Sequence, residues 1–100
     1  MEFLIDVQPA ATTVRITGEF DASTAPLVRN DIDGVVDAKP PKVVLDLSQL
    51  RLIDSTGVGA IVSLFKRTRA NGGAFEVKGL SGQPHSIFEV LRLDRVFKLI

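Results

Sequence analysis

A strand, a short connection and then a helix, within residues 42–72, constrain this chain more than any other feature of its sequence. Residues Val43 to Leu47 are apolar except for Asp46, a pattern typical of a strand that is covered on both faces. Further along, apolar residues recur at spacings of three and four, which predicts one buried helix face; they are Val58, Ile61, Val62 and Phe65. Asn71-Gly72-Gly73 ends that helix. A central strand and a buried helix should therefore meet near residue 54.

The junction between this strand and this helix places hydroxyl groups beside a carboxylate and glycines, in the order Asp54, Ser55, Thr56, Gly57, Val58 and Gly59. Asp54, Ser55 or Thr56 can each supply an oxygen that caps the first free N–H groups of the helix. We therefore expect Ser55 at or beside the helix N-terminus, where the peptide dipoles would tolerate a phosphate. An ordinary N-cap before an apolar run uses the same residue types, so these residues alone leave a purely structural role open.

The size and composition of the chain restrict its class and its partners. One hundred residues with 45% hydrophobic content fit a single domain, residues 1–100, with one core. Twelve basic and twelve acidic side chains cancel, so we expect neither nucleic acid nor an anionic membrane as a partner. Cysteine is absent, which excludes disulfides and thiolate metal sites. Without a signal-like start or a bilayer-length apolar run, a cytoplasmic protein is the default expectation.

Hydrophobic periodicity and turn residues predict the other elements of the chain. In chain order we expect strands at 3–7 and 12–17, a helix at 25–36, the central strand at 43–47, the helix ending near 70, a strand at 74–78, a helix at 83–91 and an edge strand at 96–100. The first helix should bury Leu27, Val28, Ile32, Val35 and Val36. This order predicts an α/β fold with a mixed sheet of four to five strands packed with three to four helices.

The chain carries few residues suited to catalysis. His85 is the only histidine, and we expect it to be solvated at the start of a helix, which leaves no basis for a metal site. A Ser-His-Asp triad would have to use Ser55 and His85, but the Gly-x-Ser-x-Gly turn is missing. The Gly57-Val58-Gly59 segment lacks the further glycine and the Lys-Ser/Thr ending of nucleotide loops. We expect no cofactor, no metal and no enzymatic activity.

Four segments in order, at fitting spacings, resemble the anti-sigma factor antagonists, a family whose fold is the STAS domain. The segments are Gly18-Glu19-Phe20-Asp21, Val43-Val44-Leu45-Asp46-Leu47-Ser48, Ile53-Asp54-Ser55-Thr56-Gly57-Val58-Gly59 and the stretch from Phe88 to Phe97. The resemblance extends from about Val14 to the end of the chain. It implies a STAS-type mixed sheet and a regulatory binding protein.

This resemblance implies a switch based on serine phosphorylation. In such proteins the serine after the aspartate, here Ser55, is phosphorylated by an anti-sigma factor that is itself an ATP-dependent serine kinase, and a metal-dependent serine phosphatase reverses the step. The unphosphorylated form binds the anti-sigma factor and frees the sigma factor, whereas the phosphorylated form dissociates. Asp21 should then lie beside Ser55 and position its hydroxyl or the partner, although a loop or cap carboxylate is an equal alternative. The sequence leaves Thr56 open as a second phosphoacceptor.

The partner surface should include the residues around Ser55 and one side of the helix that follows. The candidate contacts are Asp21, Asp54, Thr56, Gly57, Ala60 and Leu64. If Val58 faces the core, Ala60 and Leu64 lie on another side of the helix, although Leu64 could equally pack under a neighbouring loop. We expect the free protein to be a monomer. The alternative is a STAS module within a larger assembly, such as a stress-sensing scaffold or a lipid-transport complex.

Overall fold

The computed structural model describes every residue from Met1 to Ile100. Its elements in chain order are β1 (Glu2–Val7), β2 (Thr12–Phe20), a 3-10 helix (Ala25–Val28), α1 (Arg29–Asp37), β3 (Lys42–Asp46), β4 (Leu50–Ile53), α2 (Ser55–Ala70), β5 (Ala74–Lys78), α3 (Gly82–Val90) and β6 (Lys98–Leu99). A six-stranded mixed sheet packs with three α-helices. The predicted fold class is confirmed.

The sheet follows a simple strand order. Strands β1, β2, β3, β5 and β6 lie side by side in that order, and β4 pairs with the far end of β2. Only the β1–β2 pair is antiparallel; every other pair is parallel. Crossover connections between parallel strands are right-handed. Here each crossover, from β2 to β3, from β3 to β5 and from β5 to β6, leads to the next strand in the same direction across the sheet. The helices between the strands therefore lie on one face of the sheet.

The opposite face of the sheet carries polar and charged side chains in place of helices. In β3, Val43 and Leu45 are fully buried toward the helices, while Val44 is half-buried and Asp46 points the other way. Asp46 is nevertheless 3% exposed, because the guanidinium of Arg15 on the neighbouring strand contacts it at 3.0 Å. The prediction that this strand is covered by other elements on both faces is wrong. Cross-strand side chains shield its outer face.

One cluster of 20 buried hydrophobic residues fills the space between the sheet and the helices. Aromatic rings hold the C-terminal segment to it. The ring centroid of Phe97 lies 5.0 Å from that of Phe65 in α2 and 5.6 Å from those of Phe75 and Phe88. The Phe65–Phe97 pair is edge-to-face, one of the arrangements that aromatic pairs favour, and the other two pairs are tilted. The last residues of the chain are thereby packed against α2, β5 and α3.

One strand was not predicted from the sequence. Residues Leu50–Ile53 form β4, which pairs in parallel with Gly18–Phe20, whereas we expected only a connection there. Leu50 and Ile53 are buried and the two residues between them are exposed, so the segment lacks the alternation that identifies a strand. The final strand, β6, has two residues where five were expected.

The first predicted helix begins as a 3-10 helix, and this changes which residues face the core. Val28, Ile32, Val35 and Val36 are buried as predicted, but Leu27 is 75% exposed. The prediction for Leu27 is wrong because a 3-10 helix has three residues per turn, so an α-helical period misplaces its side chains.

Helix α2 begins so close to the end of β2 that it has no room for a side chain at Gly57. A Cβ at this position would overlap the carbonyl oxygen of Phe20 and would lie 2.8 Å from Cγ1 of Ile53. The same Phe20 oxygen accepts a hydrogen bond from the backbone N–H of Asp54 at 3.3 Å. Glycine is therefore required for close packing, and this contact fixes where the helix starts relative to the sheet.

Replacement of Gly57 by alanine should destabilise the fold. The added methyl group meets backbone atoms that cannot rotate away, and overpacking of this kind typically costs about 1–3 kcal/mol. Urea unfolding would measure the loss as a lower midpoint. Gly59→Ala is the matched control, since a Cβ there has no atom within 4 Å and should not destabilise the protein. Equal midpoints for Gly57→Ala and the unmodified chain would contradict the packing argument.

The Arg15–Asp46 pair should make stability depend on pH. Burial acts to raise the pKa of Asp46, but hydrogen bonds from Ser48 and Arg15 outweigh it and leave the pKa below its usual value. The stabilisation should therefore be complete above the unfolded pKa of about 3.9 and be lost as the pH falls through the lower folded pKa.

Asp46→Asn should lower the free energy of unfolding at pH 7 by about 1.5–3 kcal/mol, the usual range for a hydrogen bond to a charged group. The difference between this variant and the unmodified chain should narrow below the folded pKa. Denaturant titrations from pH 7 to pH 2 would measure both. Asp6→Asn removes an exposed carboxylate and serves as the control. If the free energies of unfolding of Asp46→Asn and the unmodified chain differ by the same amount at every pH, the stabilisation does not come from the ionised carboxylate of Asp46.

Candidate functional site

The N-terminus of α2 is fixed by the carboxylate of Asp54. Asp54 is the N-cap residue, and its Oδ1 accepts a hydrogen bond from the backbone N–H of Gly57 at 3.0 Å. Its Oδ2 accepts a hydrogen bond from the backbone N–H of Ala22 at 3.1 Å. One side chain thus caps the helix and attaches the loop after β2 to it. Of the three residues that could have capped α2, Asp54 does so.

Ser55 is the first residue of α2 and is exposed. Its hydroxyl takes no part in the hydrogen bonds of the cap, which are made by Asp54. The predicted position of Ser55 at a helix N-terminus is therefore confirmed. Because Asp54 satisfies the N–H of Gly57, the earlier N–H groups of the first turn are the ones without an intrahelical acceptor. The serine hydroxyl is accessible on a firmly held backbone.

Thr56 and Ala60 lie at a cleft between α2 and the preceding helical segment. The cleft has a volume of about 380 Å³ and is lined by Ala25, Pro26, Arg29, Ile32, Asp33, Thr56, Ala60, Ser63 and Arg67. Thr56 is exposed and Ala60 is half-buried. An ion pair of 2.9 Å between Arg67 and Asp33 joins α2 to α1. The structure thus brings Thr56 and Ala60 to one accessible surface next to Ser55.

The carboxylate of Asp21 is occupied within its own loop. Its Oδ1 accepts hydrogen bonds from the backbone N–H and the hydroxyl of Ser23, at 2.9 and 2.7 Å, and from both groups of Thr24 at 3.2 Å. These bonds, that from the Ser23 hydroxyl above all, lower the pKa of Asp21. The loop adjoins the helix N-terminus, because Ala22 bonds to Asp54. Asp21 is therefore a loop-capping carboxylate, and it does not position the Ser55 hydroxyl by a hydrogen bond.

Two of the predicted partner contacts lie inside the protein. Leu64 is 1% exposed and belongs to the core, so of the two alternatives for this residue the exposed partner contact is wrong. Gly57 is buried against Phe20 and offers no contact surface. The buried face of α2 consists of Gly57, Val58, Ile61, Leu64 and Thr68, with Val62 and Phe65 at its margin. Most residues from Val58 to Phe65 are apolar, so the sequence alone did not identify which of them face the core.

Sequence reasoning missed Gln83, which supports the site from the opposite side. Its Oε1 accepts a hydrogen bond from the backbone N–H of Ile53, and its Nε2 donates one to the carbonyl of Ile53, both at 2.9 Å. The side chain thus completes the free edge of β4 as a neighbouring strand would, immediately before Asp54. A single glutamine near a helix start carries no sequence signal for such a role.

The remaining chemistry of the surface is limited. No three side chains of the His, Asp and Glu types are grouped closely enough to hold a metal ion. None of the helices combines the length and apolar character that crossing a membrane requires. What the site offers is an exposed hydroxyl at a capped helix N-terminus, flanked by an acidic loop and a cleft.

Comparison with known proteins identifies relatives and similar folds. An anti-sigma-B factor antagonist of Listeria monocytogenes is 33% identical over 85 residues, which cover 84% of this chain and 74% of that protein. The crystal structure of an anti-sigma factor antagonist from Mycobacterium paratuberculosis superimposes with a TM-score of 0.87 at 26% identity, over 98% of this chain and 83% of that one.

A third comparison concerns a phosphorylated protein and shows the fold alone. The Bacillus cell fate determinant SpoIIAA in its phosphorylated form superimposes with a TM-score of 0.77 at 19% identity, over 99% of this chain and 91% of that one. The family model of the STAS domain matches residues 2–100. With a matched model over almost its whole length, the chain belongs to the STAS domain family.

Proposed function

We propose that this chain is an anti-sigma factor antagonist that is switched by phosphorylation of Ser55. The unphosphorylated form binds an anti-sigma factor with serine kinase activity and thereby releases the sigma factor. Phosphorylated Ser55 ends this binding, and a metal-dependent serine phosphatase restores it. The observation that carries the proposal is the exposed hydroxyl of Ser55 at the first residue of α2. The antagonist names of the similar proteins support it.

The site suits a phosphoacceptor. In the transfer, Oγ of Ser55 bonds to the γ-phosphorus of ATP, the bond to the β,γ-bridging oxygen breaks, ADP leaves, and the hydroxyl proton passes to a base of the kinase. The product phosphate sits at a helix N-terminus, where free N–H groups and the peptide dipoles favour negative charge. The similar fold of phosphorylated SpoIIAA supports a modification that leaves this architecture in place.

Charge at the interface accounts for release. A 100-fold loss of affinity corresponds to about 2.8 kcal/mol. A phosphoserine adds about 1.5 to 2 negative charges, and one like-charge contact near 4 Å contributes about 4 kcal/mol at an effective dielectric constant of about 20. Asp54 directly precedes Ser55, and Asp21 lies in the loop that is bonded to Asp54, so both add negative charge to this surface. These energies permit one phosphate to dissociate the partner without refolding the chain.

The proposed docking surface consists of the accessible residues around Ser55, namely Asp21, Asp54, Thr56 and Ala60. Asp54 is the helix cap and accepts a hydrogen bond from the loop that carries Asp21, while Thr56 and Ala60 line the cleft, so all four belong to elements at or near the start of α2. We further propose that residues 1–100 act as one domain, monomeric when free, in the cytoplasm, where the kinase has access to ATP.

Phosphorylation should occur on Ser55 and not on Thr56. The chain, its Ser55→Ala variant and its Thr56→Ala variant are each incubated with the candidate anti-sigma factors of the source organism and ATP, and the added mass is located by peptide mass spectrometry. Ser55→Ala should abolish the modification, while Thr56→Ala should retain it, because the family resemblance assigns the acceptor to the serine directly after Asp54. Phosphate found on Thr56 in the Ser55→Ala variant would show that Thr56 is a phosphoacceptor and would contradict the assignment to Ser55 alone.

Phosphate on Ser55 should lower the affinity for the anti-sigma factor about 100-fold while the fold stays unchanged. Calorimetric titration of the phosphorylated and unphosphorylated chains measures the affinity. Amide chemical shifts of the free chain measure the structure, and they should change only around Ser55. Shift changes throughout the sheet would instead indicate that release results from refolding, and equal affinities would contradict the switch.

A further inference from the structure

Gly59 lies in the interior of the 16-residue helix α2, where the fold gives no reason for a glycine. A Cβ at this position would have no atom within 4 Å, and the residue is exposed. Glycine is less favourable than alanine in a helix interior because it loses more backbone entropy. Gly57, two residues earlier, is explained by its contact with Phe20. Gly59 has no such explanation within the chain.

The position of Gly59 relates it to the phosphoacceptor. Residues four apart lie on the same face of a helix, so Gly59 is the next residue beyond Ser55 along that exposed side. The rise between the two is about 6 Å, roughly one helical turn. Any side chain at position 59 would project beside the Ser55 hydroxyl, and its absence leaves the helix backbone bare there.

Phosphoryl transfer requires a close approach at this place. The hydroxyl oxygen must come within about 3–3.5 Å of the phosphorus, so the kinase surface around its ATP must reach the helix itself. A displacement of about 1 Å from such a geometry can slow a reaction by about 100-fold. The size of any side chain within one turn of Ser55 is therefore limited by the approaching kinase. The fold of the free chain imposes no such limit.

We propose that Gly59 is a specificity-determining residue: its missing side chain lets the main chain of the serine kinase approach α2 closely enough to phosphorylate Ser55. The inference rests on the proposed function and identifies how that site admits its partner. Gly59 takes no part in the chemistry. It acts by keeping the space beside the acceptor free, and the favourable helix former alanine would fill that space.

The test measures two quantities for each variant: its Tm, and kcat/KM for its phosphorylation by the anti-sigma factor kinase that phosphorylates the original sequence. Gly59→Ala should raise Tm by several degrees, about 4–8 °C, because alanine favours the helix. It should at the same time lower kcat/KM for phosphorylation about 10- to 100-fold. Gly59→Leu, another good helix former with a larger side chain, should reduce kcat/KM further. Loss of phosphorylation in a more stable protein would exclude misfolding as the cause.

The matched control is Gly34→Ala in α1. Gly34 is also an exposed helical glycine whose Cβ would have no atom within 4 Å, and it lines a groove beside β1, away from the cleft next to Ser55. This variant should gain stability and keep the unmodified kcat/KM. A similar loss in both variants would point to helix rigidity in general and would overturn the steric role of Gly59.

The possible failures are distinct. If Gly59→Ala and Gly59→Leu are phosphorylated as fast as the unmodified chain, the inference about Gly59 is wrong while the proposed function stands. If none of the candidate kinases modifies the unmodified chain, the proposed function fails and the inference with it. A lower Tm for Gly59→Ala would show that the position is sterically restricted within the chain, which also overturns the inference.

Discussion

The contact between the end of β2 and the first turn of α2 determines the rest of the site. The carbonyl of Phe20 accepts a hydrogen bond from Asp54, and the same carbonyl leaves no space for a side chain at Gly57. Asp54 then uses both carboxylate oxygens, one on the helix and one on Ala22 of the loop. The phosphoacceptor candidate, Ser55, follows directly on this rigid junction. Ser55 is exposed, and the hydrogen bonds that cap the helix are made by Asp54 and not by its hydroxyl.

This junction is supported from two further directions. Gln83 bonds both backbone groups of Ile53, so α3 holds the strand that leads into the cap. On the other side, the Arg67–Asp33 ion pair connects α2 to α1 across the cleft. The buried face of α2 holds the helix along its length more strongly than this exposed ion pair does, so the helix cannot easily adjust to a new charge. A phosphate there would therefore act on whatever approaches the surface, which is the physical basis for a switch without refolding.

The sequence predicted those features that depend on local periodicity and capping. The strand–helix junction, the helix N-terminus at Ser55 and the order of most elements all followed from such patterns. The predictions that failed concern features that depend on tertiary packing. The strand β4 has no alternation and exists because it pairs with Gly18–Phe20. Leu64 is buried because the face of α2 that packs into the core runs through it, together with Val58 and Ile61. Leu27 is exposed because the helix begins with 3-10 geometry, which hydrophobic spacing does not reveal.

The hydrogen bonds of the site also assign its chemistry. A general base must be within hydrogen-bond reach of the proton that it removes and must have a free lone pair directed at it. Asp54 is committed to two backbone N–H groups, and Asp21 is committed to Ser23 and Thr24, with a pKa below its usual value that makes it a weak base. Neither carboxylate accepts a hydrogen bond from the hydroxyl of Ser55, since the bonds of Asp54 are to Gly57 and Ala22 and those of Asp21 are to Ser23 and Thr24. The base, the nucleotide and the metal ion of phosphoryl transfer would all have to come from the kinase, and this chain would contribute the hydroxyl and an unobstructed surface around it.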